Sequence, residues 1–147
     1  MVNEGEEAPD FELQSHDGEV VKLSSYRGKW VVLYFFPKAF TSGCTRETQE
    51  FARLWDEFGK LGVVVFGIST DSVSTQKKFA EKYGVKFKLL SDSERRVSQA
   101  YGVLRPTGTA ERVTFIISPE GKVAKVIRRV KPEEHPAKAL EFLRQNM

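Results

Sequence analysis

The sequence predicts an α/β protein, built as a three-layer sandwich with a central mixed β-sheet and an N-terminal β-hairpin. Residues 30–36 (WVVLYFF) and 62–69 (GVVVFGIS) are continuous runs of β-branched and aromatic side chains, the pattern of strands buried on both faces. A segment with helical spacing separates them, and this strand–helix–strand order is typical of parallel neighbours. Right-handed crossovers then place helices on both faces of the sheet.

The first half of the chain opens with a weak alternation over residues 11–23 around a turn at 16–19, which predicts the hairpin. Pro37 ends the strand at 30–36, because proline cannot donate to the ladder. Residues 45–59 predict a helix with Gly59 as its C-cap. Four apolar residues at helical spacing predict the buried face of this helix: Phe51, Leu54, Trp55 and Phe58.

The second half continues the alternation of strands and helices. After the strand at 62–69, Asp71 or Ser72 caps a helix that runs to Tyr83 and ends at Gly84. The remaining predicted elements are short: a strand at 87–90, a helix at 93–101, strands at 113–117 and 122–130 that form a hairpin about the turn at 118–121, and a helix at 136–145 with Ala139, Leu140 and Leu143 inward.

Length and composition indicate one compact domain over residues 1–147, with 40% hydrophobic and 29% charged residues. No apolar run approaches the roughly 20 residues that span a bilayer. The acidic start, MVNEGEEAPDFEL, has no apolar core of a secretory signal, so we expect a cytoplasmic protein. The single cysteine excludes an intrachain disulfide, and the fold must be held by its core.

The charge pattern favours a solvated surface over a nucleic-acid or membrane interface. Net charge is +3, and the basic clusters at 95–96 and 128–131 are short. The two histidines, His16 and His135, lie far apart in predicted turns without further ligands, so we expect no metal site. The sequence has no glycine-rich phosphate loop, and we expect no cofactor.

The lone cysteine, Cys44, lies in the segment FFPKAFTSGCTRETQE, at the start of the helix that follows a central strand. Unpaired N–H groups and the helix dipole favour an anion at this position, and a thiolate is such an anion. Ligands of open α/β sheets also bind beyond the carboxyl ends of strands. The alternative is a small buried hydrophobe, but the polar, glycine-containing surroundings favour a reactive thiol.

The spacing Pro-x-x-x-Thr-x-x-Cys, formed by Pro37, Thr41 and Cys44, resembles the active-site motif of the peroxiredoxins. Its flanks resemble the bacterioferritin-comigratory-protein (PrxQ) branch, as do the segments at 8–11 (APDF) and 111–122 (ERVTFIISPEGK). The resemblance covers nearly the whole chain. It implies a thioredoxin-like fold and a thiol-dependent peroxidase that reduces hydrogen peroxide and organic hydroperoxides through a single peroxidatic cysteine.

The resemblance also implies the roles of the site residues. Cys44 attacks the peroxide and becomes a sulfenic acid, Thr41 hydrogen-bonds the thiolate and the peroxide, and Pro37 shields the site from water. Arg112 supplies a cation near the sulfur, with a solvent-facing strand arginine as the alternative. Glu47, on the face of the helix that carries Cys44, orients the arginine, unless it is only a first-turn acid that offsets the helix dipole.

The sequence departs from many members of this branch because it has no resolving cysteine. Gln49 occupies one usual position, five residues after Cys44, and residues 79–83 contain none. The sulfenic acid must then be reduced by an external thiol, a thioredoxin-like protein or a small molecule. The sequence leaves open whether a resolving cysteine was lost naturally or by engineering. The resemblance suggests a monomer or a weak homodimer.

Two other functions remain open at this point. A thiol–disulfide oxidoreductase of the same fold would use Cys-x-x-Cys, but Thr41 occupies the position of the nucleophilic cysteine. A non-enzymatic role, as a holdase or a redox-sensing partner, is not excluded by any residue. An insensitive thiol would favour that second alternative.

Overall fold

The computed structural model describes residues 1–147 and contains one seven-stranded mixed sheet in the order β2-β1-β5-β4-β3-β6-β7. Its strands are β1 Glu12–Ser15, β2 Val20–Lys22, β3 Val31–Phe35, β4 Val64–Ser69, β5 Lys88–Ser91, β6 Val113–Ile117 and β7 Val123–Ile127. Its helices are α1 Ser42–Arg53, α2 Trp55–Lys60, α3 Val73–Tyr83, α4 Arg96–Ala100 and α5 Glu134–Asn146, and a short 3-10 helix covers Leu23–Tyr26. No helix is both long and apolar enough to cross a membrane.

The central strands confirm the predicted mixed sheet. Strand β3 pairs with β4 in parallel, and β4 pairs with β5 in parallel. Strand β6 lies antiparallel to β3 on the other side, with Phe35 opposite Val113. The hairpins β1–β2 and β6–β7 complete the two ends of the sheet. The register of β3 and β6 matters for function, because it sets the residue before β6 beside the loop that follows β3.

The side chains of β3 alternate between two buried layers, as a strand covered on both faces requires. Leu33 and Phe35 belong to one layer, which Tyr101 closes after α4. Val32 and Tyr34 belong to the other, where the apolar sides of α1, α2, α3 and α5 pack. Helices therefore lie on both faces, as predicted, but unequally, with four on one face and α4 on the other.

The predicted helix over 45–59 is two helices. The chain bends at Leu54 (φ −93°, ψ 3°), whose carbonyl accepts the first bonds of α2 from the N–H groups of Glu57 and Phe58. Gly59 is not a C-cap, because α2 continues through it and Gly62 takes the left-handed conformation instead (φ 71°). The bend keeps Phe58 buried on the same face as the apolar residues of α1.

Two further helix ends show where sequence signals hold and where they fail. The predicted caps of α3 are confirmed: Ser72 Oγ accepts from the N–H of Thr75 at 3.2 Å, and Gly84 is left-handed. The last helix begins at Glu134, earlier than predicted. His135 is therefore a buried helical residue and does not lie in a turn.

Candidate active site

Cys44 is the third residue of α1 and has no solvent-exposed surface. The loop after β3 delivers it there: Thr41 is extended (φ −77°, ψ 153°) as the N-cap residue, and its carbonyl accepts from the N–H of Thr45 at 2.9 Å. The sulfur therefore lies in the first turn, where the positive end of the helix dipole favours a thiolate.

Arg112 lies next to the sulfur. It immediately precedes Val113, which pairs with Phe35 at the end of β3, so the sheet register carries Arg112 to the active-site loop. Its Nη2 donates to Cys44 Sγ at 3.4 Å, and its Nη1 donates to Glu47 Oε1 at 2.7 Å. Only 20% of the side chain is exposed, which rules out the solvent-facing alternative for Arg112.

Gly43 is a site residue that the sequence reasoning missed. A Cβ built at this position would lie 2.9 Å from Arg112 Nη2 and 3.3 Å from Pro132 Cγ. The missing side chain leaves the space through which the guanidinium reaches the sulfur. The glycine before the cysteine was a visible signal, but only the structure shows what occupies the space.

Thr41 and Pro37 lie on the loop that enters α1. The Thr41 hydroxyl donates to the carbonyl of Lys38 at 2.7 Å, so its hydrogen is engaged and its lone pairs remain available as acceptors. Thr41 is exposed and Pro37 is half-buried. The structure gives no hydrogen bond between Thr41 and the sulfur itself.

The same loop is anchored by Asp71, which the sequence analysis considered only as a helix cap. Its Oδ2 accepts from the N–H of Ala39 at 2.8 Å and from the hydroxyl of Ser69 at 2.6 Å. Phe40, which follows Ala39, has a left-handed backbone conformation (φ 68°) and is 44% exposed. The centroid of its ring lies 5.1 Å from that of the Phe79 ring. The loop is thus held in a strained shape by contacts from β4 and α3.

Glu47 is buried and lies beyond the first turn of α1, which contains no acidic residue, so it is not the first-turn acid of the alternative interpretation. Oε1 accepts from Arg112, whereas Oε2 has no hydrogen-bond partner and lies 3.6 Å from His135 Nδ1. Burial raises the pKa of Glu47 to about 8, because the cost of removing the charge from water outweighs the attraction of Arg112. Burial thus favours the protonated form of Glu47.

His135 closes the far side of this group. Its Nδ1 lies 2.8 Å from Thr114 Oγ1 of β6, and its Nε2 has no partner. Burial, reinforced by the charge of Arg112, lowers the pKa of His135 to about 4, so the imidazole is neutral at physiological pH. The sequence predicted His135 only as a turn residue outside any site, because a single histidine within Glu-His-Pro carries no spacing signal.

Comparisons with known proteins agree with this geometry. Residues 4–126 match the AhpC/TSA family. The chain is 42% identical to Peroxiredoxin Bcp of Bacillus subtilis (strain 168), over 95% of this chain and 94% of that protein. It superposes on Peroxidoxin BcpB of Mycobacterium tuberculosis with a TM-score of 0.95 and 37% identity, covering 100% of this chain and 99% of that one.

A second solved structure is the bacterioferritin comigratory protein of Xanthomonas campestris, examined for alkyl peroxide reduction activity in trapped intermediate/ligand complexes. It superposes with a TM-score of 0.90 at 34% identity and covers 97% of this chain and 98% of that one. These superpositions confirm the thioredoxin-like sandwich predicted from the sequence.

Proposed function

The chain belongs to the AhpC/TSA family and its relatives are peroxiredoxins, and from this premise we propose that Cys44 is the peroxidatic cysteine of a thiol-dependent peroxidase that reduces hydrogen peroxide and organic hydroperoxides. The observation that supports this role most directly is the contact of Arg112 Nη2 with Cys44 Sγ at 3.4 Å, in the first turn of α1. A cation and a helix N-terminus converge there on one sulfur.

The first step forms a sulfur–oxygen bond and breaks the peroxide bond. The thiolate of Cys44 attacks one oxygen of ROOH and becomes a sulfenic acid, and the other oxygen leaves and takes up a proton as ROH. Thr41 Oγ1, whose own hydrogen is donated to Lys38, accepts a hydrogen bond from the peroxide O–H. Arg112 stabilises the negative charge that develops on the leaving oxygen.

Orientation of the peroxide contributes more than thiolate formation. A free cysteine thiol is already a few per cent thiolate at neutral pH, so complete ionisation raises the reactive fraction at most about 30-fold. Nucleophilicity also falls as a thiol becomes more acidic. The rest of the acceleration must come from holding the peroxide in line and from charge stabilisation at its leaving oxygen.

Two variants separate these contributions. We expect Thr41→Val and Arg112→Ala to lower the second-order rate constant for peroxide by about 100-fold or more, the usual cost of losing one aligned donor or acceptor. The thiolate fraction, followed by ultraviolet absorbance during a pH titration, should change far less. Equal losses in rate constant and thiolate fraction would refute the argument from orientation.

The second half of the cycle uses an external thiol, because Cys44 is the only cysteine in the chain. One reductant thiol attacks the sulfenic acid, releases water and forms a mixed disulfide, and a second thiol releases Cys44 as a thiol. We include in the proposal a thioredoxin-like protein or a small thiol as the reductant. A cytoplasmic location fits this requirement, because that compartment keeps thiols reduced. A single-domain monomer or weak homodimer completes the proposal.

The function is tested by mixing the reduced protein with hydrogen peroxide, following tryptophan fluorescence by stopped flow and quenching samples for mass spectrometry. The expected result is rapid addition of one oxygen at Cys44, trapped by a sulfenic-acid reagent and absent in Cys44→Ser. Oxidation no faster than that of a free cysteine would overturn the proposed peroxidase.

A further inference from the structure

We propose that His135 is a positioning residue for the peroxide step: it fixes the carboxyl group of Glu47, which in turn aims the guanidinium of Arg112 at the sulfur of Cys44. This inference rests on the proposed peroxidase function. His135 forms no hydrogen bond with the sulfur and contacts Thr114 and Glu47 instead, so the proposed effect passes through its neighbours.

The contacts form a continuous chain across three elements. Cys44 Sγ contacts Arg112 Nη2 at 3.4 Å, and Arg112 Nη1 contacts Glu47 Oε1 at 2.7 Å. Glu47 Oε2 then faces His135 Nδ1 at 3.6 Å, and Nδ1 contacts Thr114 Oγ1 at 2.8 Å. Helix α1 supplies Cys44 and Glu47, and α5 supplies His135. Strand β6 supplies Thr114, and Arg112 immediately precedes this strand.

The unpartnered atoms show why the histidine matters to Glu47. Glu47 and His135 have no exposed surface, and Glu47 Oε2 has no hydrogen bond. Buried carboxyl oxygens without a partner are unfavourable. His135 Nδ1 lies 3.6 Å from Oε2, just outside direct hydrogen-bond distance, so the two groups bond only when the side chains move closer.

Imidazole suits this position because Nδ1 can donate or accept, depending on the tautomer. When Glu47 is protonated, Oε1 still accepts from Arg112, and the proton on Oε2 points to Nδ1, which then accepts from Oε2 in place of the Thr114 hydroxyl. When Glu47 is ionised, Nδ1 carries the hydrogen and shares it between Thr114 Oγ1 and Oε2. The plane of the carboxyl group is kept in both states, and with it the direction of the Arg112 guanidinium.

The charges around Glu47 determine the expected pH signature. Arg112 before β6, Cys44 on α1, Tyr34 on β3 and His135 on α5 are the titratable groups that face it. Replacing the imidazole with an apolar side chain removes the polar group that faces Oε2 at 3.6 Å, which penalises the charged form of Glu47 more than the neutral form. The pKa of Glu47 should therefore rise further, and the inflection that its ionisation produces in the rate profile should move to higher pH.

The test compares His135→Leu, His135→Asn and the matched control Leu143→Ala. Leu143 is equally buried on α5 but lies outside the contact chain. The readout is the second-order rate constant for Cys44 oxidation by hydrogen peroxide, by quenched-flow mass spectrometry from pH 5.5 to 9. Unfolding by urea is measured alongside, so that loss of stability is separated from loss of rate.

We expect His135→Leu to lower the rate constant about 10-fold at pH 7, about 1.4 kcal/mol in the barrier, and to shift the profile upward. His135→Asn provides an amide that can donate or accept, as the imidazole does, so its rate constant should remain within about 3-fold of that of the parent protein. Leu143→Ala should lose stability but keep the rate constant and profile. A parent protein that itself reacts slowly would refute the peroxidase, whereas the comparison among variants decides the role of His135.

The inference is overturned if His135→Leu behaves like Leu143→Ala, since the imidazole would then only fill space. It is also overturned if His135→Asn is as slow as His135→Leu in a folded protein, because the polar group would not matter. If His135→Leu does not fold, His135→Ala takes its place, measured both in the parent protein and in a Glu47→Gln background. A role through the carboxyl group predicts that His135→Ala slows the parent but has no further effect on rate once Glu47 is replaced, and an equal loss in both backgrounds would overturn the inference.

Discussion

The protonation of buried Glu47 should make the protein less stable as pH rises. Burial raises the pKa of Glu47 from its ordinary value of 4.5 to about 8. The folded state therefore holds this proton more tightly than the unfolded state. The stability that it contributes is fully present below pH 4.5 and is lost as pH rises through 8, at up to about 1.4 kcal/mol per pH unit.

Between pH 5.5 and 8.0 the expected loss from Glu47 alone is about 3 kcal/mol, because the unfolded chain is ionised throughout and the folded state reaches half-ionisation at the upper limit. His135 works in the opposite direction. Its pKa is lowered to about 4, so its contribution is present above its ordinary pKa of 6.5 and is lost as pH falls towards 4. Below pH 6.5 the contributions of Glu47 and His135 to the pH dependence of the unfolding free energy have opposite signs. Above pH 6.5 only the loss of stability from Glu47 remains.

The assay is urea unfolding of Glu47→Gln and its parent at pH 5.5 and 8.0, both in a Cys44→Ser background that removes oxidation and thiol titration. Titrating groups away from Glu47 are common to both proteins and cancel in the difference. The parent should lose about 3 kcal/mol more than the Glu47→Gln variant over this range. An identical pH dependence in the two proteins would show that Glu47 is already ionised when folded, and that Arg112 outweighs the cost of burial.

Three further predictions follow from single contacts. Gly43→Ala introduces a methyl group 2.9 Å from Arg112 Nη2, so it should lower the peroxide rate constant about 10-fold while circular dichroism and the unfolding midpoint stay near the parent. Asp71→Ala removes the acceptor for the N–H of Ala39, which should destabilise the protein by about 1–2 kcal/mol and slow oxidation; an unchanged rate would show that the loop keeps its shape without this anchor. Gly84→Ala forces a side chain into a left-handed C-cap (φ 61°) and should cost about 1 kcal/mol in urea unfolding with no change in peroxide rate.

The sequence was most informative where a residue type has one structural use. Continuous apolar runs identified β3 and β4, and Ser72 and Gly84 marked both ends of α3. It failed at the end of the cysteine helix, because one apolar face continues from α1 into α2 across the bend at Leu54. Periodicity reports which face is buried, and that face is the same on both sides of the bend.

The site residues also differ in how well the sequence predicted them. Cys44 could be located because its immediate neighbours set its position on the helix. Arg112 and Glu47 were assigned by resemblance, and their contact depends on the pairing of β3 with β6, which brings together residues 65 apart in the chain. The role of His135 could be predicted neither from its neighbours in the sequence nor from the resemblance. Its importance comes from which buried atoms lack partners, a property that exists only after three elements have packed.

The burial of Cys44 limits how the two halves of the cycle use the same site. A hydroperoxide needs to bring only its terminal oxygens to the sulfur. A thiol on a reducing protein must bring a whole side chain to within bonding distance of a sulfur that has no exposed surface. Under the proposed function, we therefore expect that reduction of the sulfenic acid by a protein thiol requires the first turn of α1 to open. The loop before α1 is strained at Phe40 and is held by Asp71 through one hydrogen bond. We therefore expect it to stay closed while Cys44 reacts with peroxide and to open when the reductant binds.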